Sequence, residues 1–401
     1  MKQTNEARTT LHGRIFAIIF SALLLCSPAL AANLDFRCLD TSNGLADSHV
    51  SSIIKDRNGY LWIGTAAGLS RYDGFRFKNF YSSTADKSSI LSNQIEGLAE
   101  DGDGNIWVQT NEGYCIYSPS TESFSSDIAA WMNQRGMSGT PNRVFVDSKG
   151  NFWIAVNGKG CYFYNTSTHT AHLFATGRGK GNIPAGAITG ITERGSSLVI
   201  SLENGTLVRL DGPAGRVVWI NRTLAQKNGY KAQYYTSYID SRYNYWISNH
   251  STGHTYVCSC IARRWFSSPT EFFASLGMGG MRDVFVKDLK EDRHHNLWLA
   301  TEHEGLFIAN IARRSLSNVR YDAQNPNTLP DNTLQSIYID HAGAAWIGTY
   351  KERHSLLLAV ALTFSDDSSR RHLHHHHRPH GQLLVRHQRQ RHRLLQSLNG
   401  H

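Results

Sequence analysis

Six aspartates, Asp56, Asp101, Asp147, Asp240, Asp292 and Asp340, are the residues whose type and spacing could first do chemistry. Paired carboxyls cleave glycosidic bonds, at ~5 Å separation with retention and at ~6.5–9.5 Å with inversion. These six do not read as such a pair. Each is followed at the same distance by a tryptophan: Trp62, Trp107, Trp153, Trp246, Trp298 and Trp346. Recurrence at one place in a repeat favours a structural role over catalysis. The sequence holds no G-x-S-x-G elbow and no H-E-x-x-H pair. Asp101-Gly-Asp-Gly104 is only a fragment of a calcium loop, and no zinc-type Cys/His spacing occurs. The expectation is a chain with no catalytic residue, no metal and no cofactor.

The elements that carry these residues repeat with them. The unit reads Asp56-Arg-Asn-Gly59-Tyr-Leu-Trp62-Ile-Gly-Thr65, then Asp101-Gly-Asp-Gly104-Asn-Ile-Trp107-Val-Gln-Thr110, then Asp147-Ser-Lys-Gly150-Asn-Phe-Trp153-Ile-Ala-Val156. Degenerate copies lie at 240–246 and 292–301, and a clear one at 340–349. In the remaining gap, Glu193-Arg-Gly195-Ser-Ser-Leu198 puts Leu in the Trp slot. The slots 62, 107, 153, 198, 246, 298 and 346 are 45 to 52 residues apart, a period of repeat arrays such as propellers.

Within the first unit, 50–55 is a short β-rich run and 56–59 a turn. There Asp can bond its own downstream backbone and Gly accepts positive φ. Strands at 60–65, 69–72 and 75–81 follow, separated by the turns Ala66-Ala67-Gly68 and Asp73-Gly74. Four antiparallel strands in one period make a blade. The expected fold is all-β: a β-propeller of four-stranded blades, about seven, the last incomplete. The Trp is expected to pack between blades, where one large ring covers much apolar area.

These units resemble the two-component regulator propeller repeats of Bacteroidetes hybrid sensors, with the pattern D-x-x-G-x-[LIF]-W-[IVL]-G-T-x-x-G-[LI]-x-x-Y. The first unit matches nearly throughout, ending in Gly68-Leu69 and Tyr72. The second ends in Gly113 and Tyr117, the third in Gly160 and Tyr164. The lead-in Asn43-Gly44-Leu45-Ala46-Asp47-Ser48-His49-Val50 is also similar to the family's opening. The resemblance covers about residues 36 to 350. The units at 195 and 246 depart from it, and Arg293-His294-His295 lacks the turn Gly. In that family, propellers and a β-sandwich sense oligosaccharides in the periplasm, and a membrane helix connects them to a histidine kinase, a receiver and a DNA-binding domain. None of those later parts can be placed in this sequence. The resemblance therefore implies a periplasmic ligand-sensing propeller of a hybrid system controlling polysaccharide utilisation, with an oligosaccharide as ligand. The parent would sit in the inner membrane through segments missing here and could form a homodimer.

Residues 1–32 read as a secretory signal. Lys2, Arg8 and Arg14 precede an apolar run at 15–26, and Ala29-Leu30-Ala31 fits small-x-small cleavage. Residues 33–350 are the propeller. Residues 351–401 break the pattern and hold ten of the twenty His, four of them consecutive at 374–377. One reading is a disordered basic tail. A metal-binding His tract is sharper, but lacks Cys, carboxylate or ordered ligand spacing. A third reading explains more. Back-translated with permitted codons and shifted by one base, 370–400 can contain D-H-T-G-N-F-W-F-G-T, another copy of the repeat. The expectation is a frameshift near 350–353, which makes the chain the truncated front of a longer protein.

The net charge of +9 is concentrated at the ends. Residues 351–401 carry nine Lys/Arg against three Asp/Glu, and 1–32 carry three against one. The body is close to neutral, which argues against nucleic-acid binding by this chain. Of the cysteines beyond the signal, Cys115 and Cys161 read as buried core thiols. Cys258 and Cys260 are too close in sequence to form a good disulfide, and Cys38 makes the number odd.

If first strands line a central channel, the residues just before them ring one face. Those are His49, Gln94, Arg143, Ala187, Tyr234, Asp283 and Thr333. Loops after each Trp strand, such as Asn111-Glu112 and Glu302-His303-Glu304, share that face. The ring residues His49, Gln94, Arg143, Tyr234, Asp283 and Thr333 are the candidate ligand-binding residues, able to hydrogen-bond or stack on a sugar. Trp131, in an insertion, reads as a local core anchor. The competing functions are a secreted propeller enzyme, a glycan hydrolase or lyase, and a protein-interaction propeller.

Overall fold

The computed structural model describes residues 34, 36–179, 181–195, 197–325, 328–350 and 357–360. They belong to one compact unit within residues 1–362; the expected signal segment and all but 357–360 of the expected tail lie outside the described residues. The described chain is a β-propeller of four-stranded antiparallel sheets.

Blade 1 is Val50–Lys55, Leu61–Thr65, Gly68–Tyr72 and Phe77–Phe80, hydrogen-bonded in that order. Blades 2 to 6 repeat this order, beginning at Ile95–Glu100, Pro141–Val146, Ile188–Arg194, Tyr235–Ile239 and Val286–Glu291. The first strands of successive blades neighbour one another, and Val50–Lys55 also lies against Leu334–Ile339 of the seventh sheet. First strands therefore line the axis, as the sequence requires for a channel-mouth ring.

The seventh sheet is composite. Leu334–Ile339 and Ala345–Thr349 supply its inner half. Leu357–Val360 pairs as the third strand, and Phe36–Leu39, from the start of the propeller, pairs as the fourth. The sequence reading ended this blade at Tyr350. It missed the upstream strand because four residues ahead of the first repeat carry no periodic signal. Phe36 is 4% exposed and packs with Trp298, Leu334 and Ile347, so the N-terminal strand is held by the core of blades 6 and 7.

The Asp–Trp repeat is structural, as expected. In blade 1, Asp56 Oδ1 accepts the N–H groups of Asn58 and Tyr60, both at 2.9 Å, and Oδ2 accepts Trp62 Nε1–H at 2.8 Å. The same indole bond forms in blades 2, 3, 5 and 6 at 3.0–3.1 Å. Each Trp packs into the next blade: Trp62 with Ile106 and Val108, Trp107 with Ile154, Trp298 with Ile347. The turn requires a left-handed residue, Gly59 at φ 91° in blade 1. Blades 5 and 6 keep the turn without glycine, and Tyr243 and His295 take φ 60° and 61°. Blade 4, with Leu198 paired to Glu193, is still four-stranded.

Cys115 and Cys161 are buried, and burial pushes their thiols up to about 11 and about 12. Cys258 and Cys260 are unpaired thiols. Trp131 lies on a short helix, Ile128–Asn133, edge-on to Trp107 at 4.7 Å and Phe152 at 4.9 Å, which makes it a half-buried local anchor.

Candidate functional site

Strand register places the channel mouth more finely than the repeat alignment does. Just before the first strand, the carbonyls of His49, Gln94, Ala187, Tyr234, Phe285 and Thr333 accept the N–H of the residue that follows the second strand. Phe285, not Asp283, therefore occupies the blade 6 position, and Asp283 is exposed two residues further out. Arg143 is also displaced. It pairs with Ala155, inside the first strand, in register with Ser52, Gly97, Gly190, Asp288 and Ser336 of other blades. Those blades share the bulge after Pro141, so the displacement comes from the unequal lengths of the segments between blades, which period counting cannot place.

Two of the sequence-selected residues meet directly. Arg143 Nη2 donates to the Tyr234 hydroxyl, and the guanidinium carbon lies 5.1 Å from the Tyr234 ring centroid. The contact joins blade 3 to blade 5. Blade 4 presents Gly190 at the same register, where a Cβ would crowd Ser201 Oγ at 2.9 Å and the Tyr235 carbonyl of blade 5 at 3.1 Å. Arg143 Nη1 donates to Gln109 Oε1 at 3.2 Å, and the Tyr114 hydroxyl donates to the same oxygen at 2.9 Å. Gln109 Nε2 donates to Glu96 at 3.1 Å.

From Tyr234 an aromatic run continues around the mouth. Tyr234 and His250 have ring centroids 5.1 Å apart, and His250 meets Phe285 edge-on at 5.2 Å. His250 Nε2 lies 2.8 Å from Thr236 Oγ1. Burial, then the positive Lys287, lower the His250 pKa to about 4, so the ring is neutral at pH 7. Lys287 lies over Phe285 at 4.9 Å and pairs with Glu302 at 3.0 Å. His49 stacks edge-on against Tyr350 at 4.3 Å, and burial lowers its pKa also. Thr333 Oγ1 is 3.1 Å from His303 Nδ1. Gln94 and Asp283 are exposed and join no such contact among the described residues.

His250, Phe285, Lys287, Gln109 and Tyr114 were absent from the sequence-selected set. His250 and Glu302 follow second strands, the loops that the sequence did assign to this face. The others needed the register. Among the described residues, no group of His, Cys, Asp and Glu is arranged to hold a metal ion. A separate cleft of about 180 Å³ lies on the opposite face, between blades 3 and 4 where Leu198 replaces Trp.

The sequence model of the family described as Two component regulator propeller matches residues 44–67 and 89–112, the lead-ins and Trp strands of blades 1 and 2. Two of its blades thus match two-component regulator propeller repeats. Over 78 residues, 20% of its length, the chain is 36% identical to Histidine kinase P4 of Formosa agariphila, and the match spans 6% of that protein. Its fold is similar to the extracellular domain of BT3049 from B. thetaiotaomicron, assigned to a hybrid two component system. The TM-score is 0.58 at 20% identity, covering 81% of this chain and 42% of that one. The extracellular domain of BT4673 from the same organism gives 0.58 at 17% identity, covering 82% and 40%. The chain thus spans less than half of those domains. Virginiamycin B lyase from Staphylococcus aureus is similar at 0.54 and 11% identity, covering 82% and 100%. That likeness concerns the fold alone.

Proposed function

We propose that this chain is the extracytoplasmic ligand-sensing propeller of a hybrid two-component signalling protein, and that it takes an oligosaccharide at the channel mouth. The observation that supports this reading is the rim of Tyr234 and His250, backed by the buried Phe285, with Arg143 and Lys287 beside it. Aromatic faces stack on the apolar faces of sugar rings, while amide, hydroxyl and guanidinium groups meet their hydroxyls. The role is binding, with signalling left to other parts of the parent protein. Periplasmic placement rests on the signal-like start of the sequence and on the extracellular relatives. No described helix is long and apolar enough to cross a membrane.

The test is calorimetric titration of residues 33–362 with a panel of plant and host oligosaccharides, together with product analysis. Binding without turnover is expected, and Tyr234→Ala should weaken it at least tenfold by removing the stacking face. Turnover of any glycan by the clean protein would replace this reading with an enzyme. Unchanged affinity in Tyr234→Ala would move the site away from the mouth.

A further inference from the structure

Two cations stand at the channel mouth, and their surroundings differ. Lys287 is neutralised by Glu302 at 3.0 Å. Arg143 has no carboxylate within ion-pair distance among the described residues. Its guanidinium is positioned by two uncharged oxygens, Gln109 Oε1 and the Tyr234 hydroxyl. The nearby acid, Glu96, is exposed and receives the Gln109 amide instead. The other ionisable residue at the same register, Asp288, is already engaged. It takes Lys290 at 2.6 Å and the N–H of Ile337 at 2.8 Å.

Taking a guanidinium partly out of water without a counter-ion is unfavourable. The support around Arg143 nevertheless holds it in one place. Gln109 is itself pinned by Tyr114 and Glu96, and the Tyr234 ring centroid lies 5.1 Å from the guanidinium carbon. Guanidinium has five N–H donors in a rigid fork, and the two bonds to Gln109 and Tyr234 leave others free. A fixed fork with spare donors suits a planar carboxylate or a sulfate, to which charge-assisted bonds are roughly twice as strong as neutral ones.

We infer that Arg143 is a specificity-determining residue that reads an acidic substituent, a carboxylate or a sulfate, on the oligosaccharide bound at the mouth. The ligand class is therefore an acidic glycan. This rests on the channel-mouth reading above and narrows it.

The experiment uses calorimetry with trigalacturonate as the carboxylate probe, an unsaturated chondroitin sulfate disaccharide as the sulfate probe, and cellotriose and maltotriose as neutral probes. Wild type should bind at least one acidic probe ten-fold or more tighter than either neutral one. R143Q should lose that preference, and R143K, which keeps charge but not the fork, should lose several-fold. Which acidic probe wins distinguishes carboxylate from sulfate. Equal binding of neutral and acidic probes by wild type overturns the inference but leaves the mouth as the glycan site. Undiminished acidic binding in R143Q also overturns it. Binding of none of the probes at millimolar concentration overturns both readings. Should R143Q fail to fold, the same preference measured in wild type and R143K decides the matter.

Discussion

Lys55 of blade 1 places its ammonium 2.8 Å from Asp340 Oδ2, the oxygen that accepts the indole N–H in blades 1, 2, 3, 5 and 6. Trp346 Nε1 is buried and has no hydrogen-bond partner among the described residues. The junction that closes the ring thus exchanges the repeat's internal bond for a bond between blades. Tyr338 reinforces it by donating to the Lys55 carbonyl at 3.5 Å.

This exchange predicts an asymmetry between two equivalent tryptophans. Trp62→Phe removes the indole N–H that Asp56 Oδ2 accepts and should cost about 1–3 kcal/mol from that group alone. Trp346→Phe removes a donor that is already unpaired, so its cost should be clearly smaller. Urea unfolding of both variants measures the difference, and equal losses would refute the argument.

Acid should act on this junction in a defined direction. Burial alone would raise the Asp340 carboxyl, but the Lys55 bond and the Ala344 N–H outweigh it and hold it below the ordinary value. Its contribution is present above the unfolded carboxyl range and is lost as pH falls through the folded value. Lys55→Met should flatten the stability loss below about pH 4. A wild-type slope in Lys55→Met would show that Lys55 is not the cause.

His250 works over a higher window. Its folded pKa is depressed to about 4 from 6.5, so the unfolded chain binds a proton that the folded chain refuses. Stability from this group is complete above pH 6.5 and falls as pH drops towards 4, by up to roughly 3 kcal/mol. His250→Gln should remove that part of the pH dependence. Parallel melting curves from pH 7 to pH 4 in the two proteins would contradict it.

Turn glycines give a conformational test without packing changes. A Cβ on Gly59 would meet nothing within 4 Å, yet φ is 91°. Gly59→Ala should therefore lose about 1 kcal/mol through backbone strain alone. Tyr243 sits at φ 60° in the equivalent turn of blade 5 and is 49% exposed, so Tyr243→Gly should be neutral or gain up to about 1 kcal/mol. Thermal melting of the two variants should give shifts of opposite sign, or a loss only in the first.

The N-terminal strand should be required for the ring. Phe36→Ala removes a buried ring from the blade 6–7 core and should cost about 3–5 kcal/mol. Deleting residues 33–39 should do at least as much harm. A deletion protein with unchanged urea midpoint would mean that the seventh sheet closes without its outer strand.

By itself the sequence determined the repeat, the turn aspartates, the interblade tryptophans and the four-stranded blade. Each is a local matter, because Asp56 reaches Trp62 within six residues and hydrophobic alternation sets the strands. It also picked out Arg143 and Tyr234 as residues of one face. Only the tertiary structure decided that these two touch, since 91 residues and a whole intervening blade separate them. The same holds for Lys55 and Asp340, 285 residues apart, and for Phe36–Leu39 in the seventh sheet. The register that sets Arg143 inside its strand and Phe285 ahead of the next leaves no mark on the repeat period. A repeat specifies its own blade through short-range bonds; which side chains face one another across the axis follows from how the ring closes.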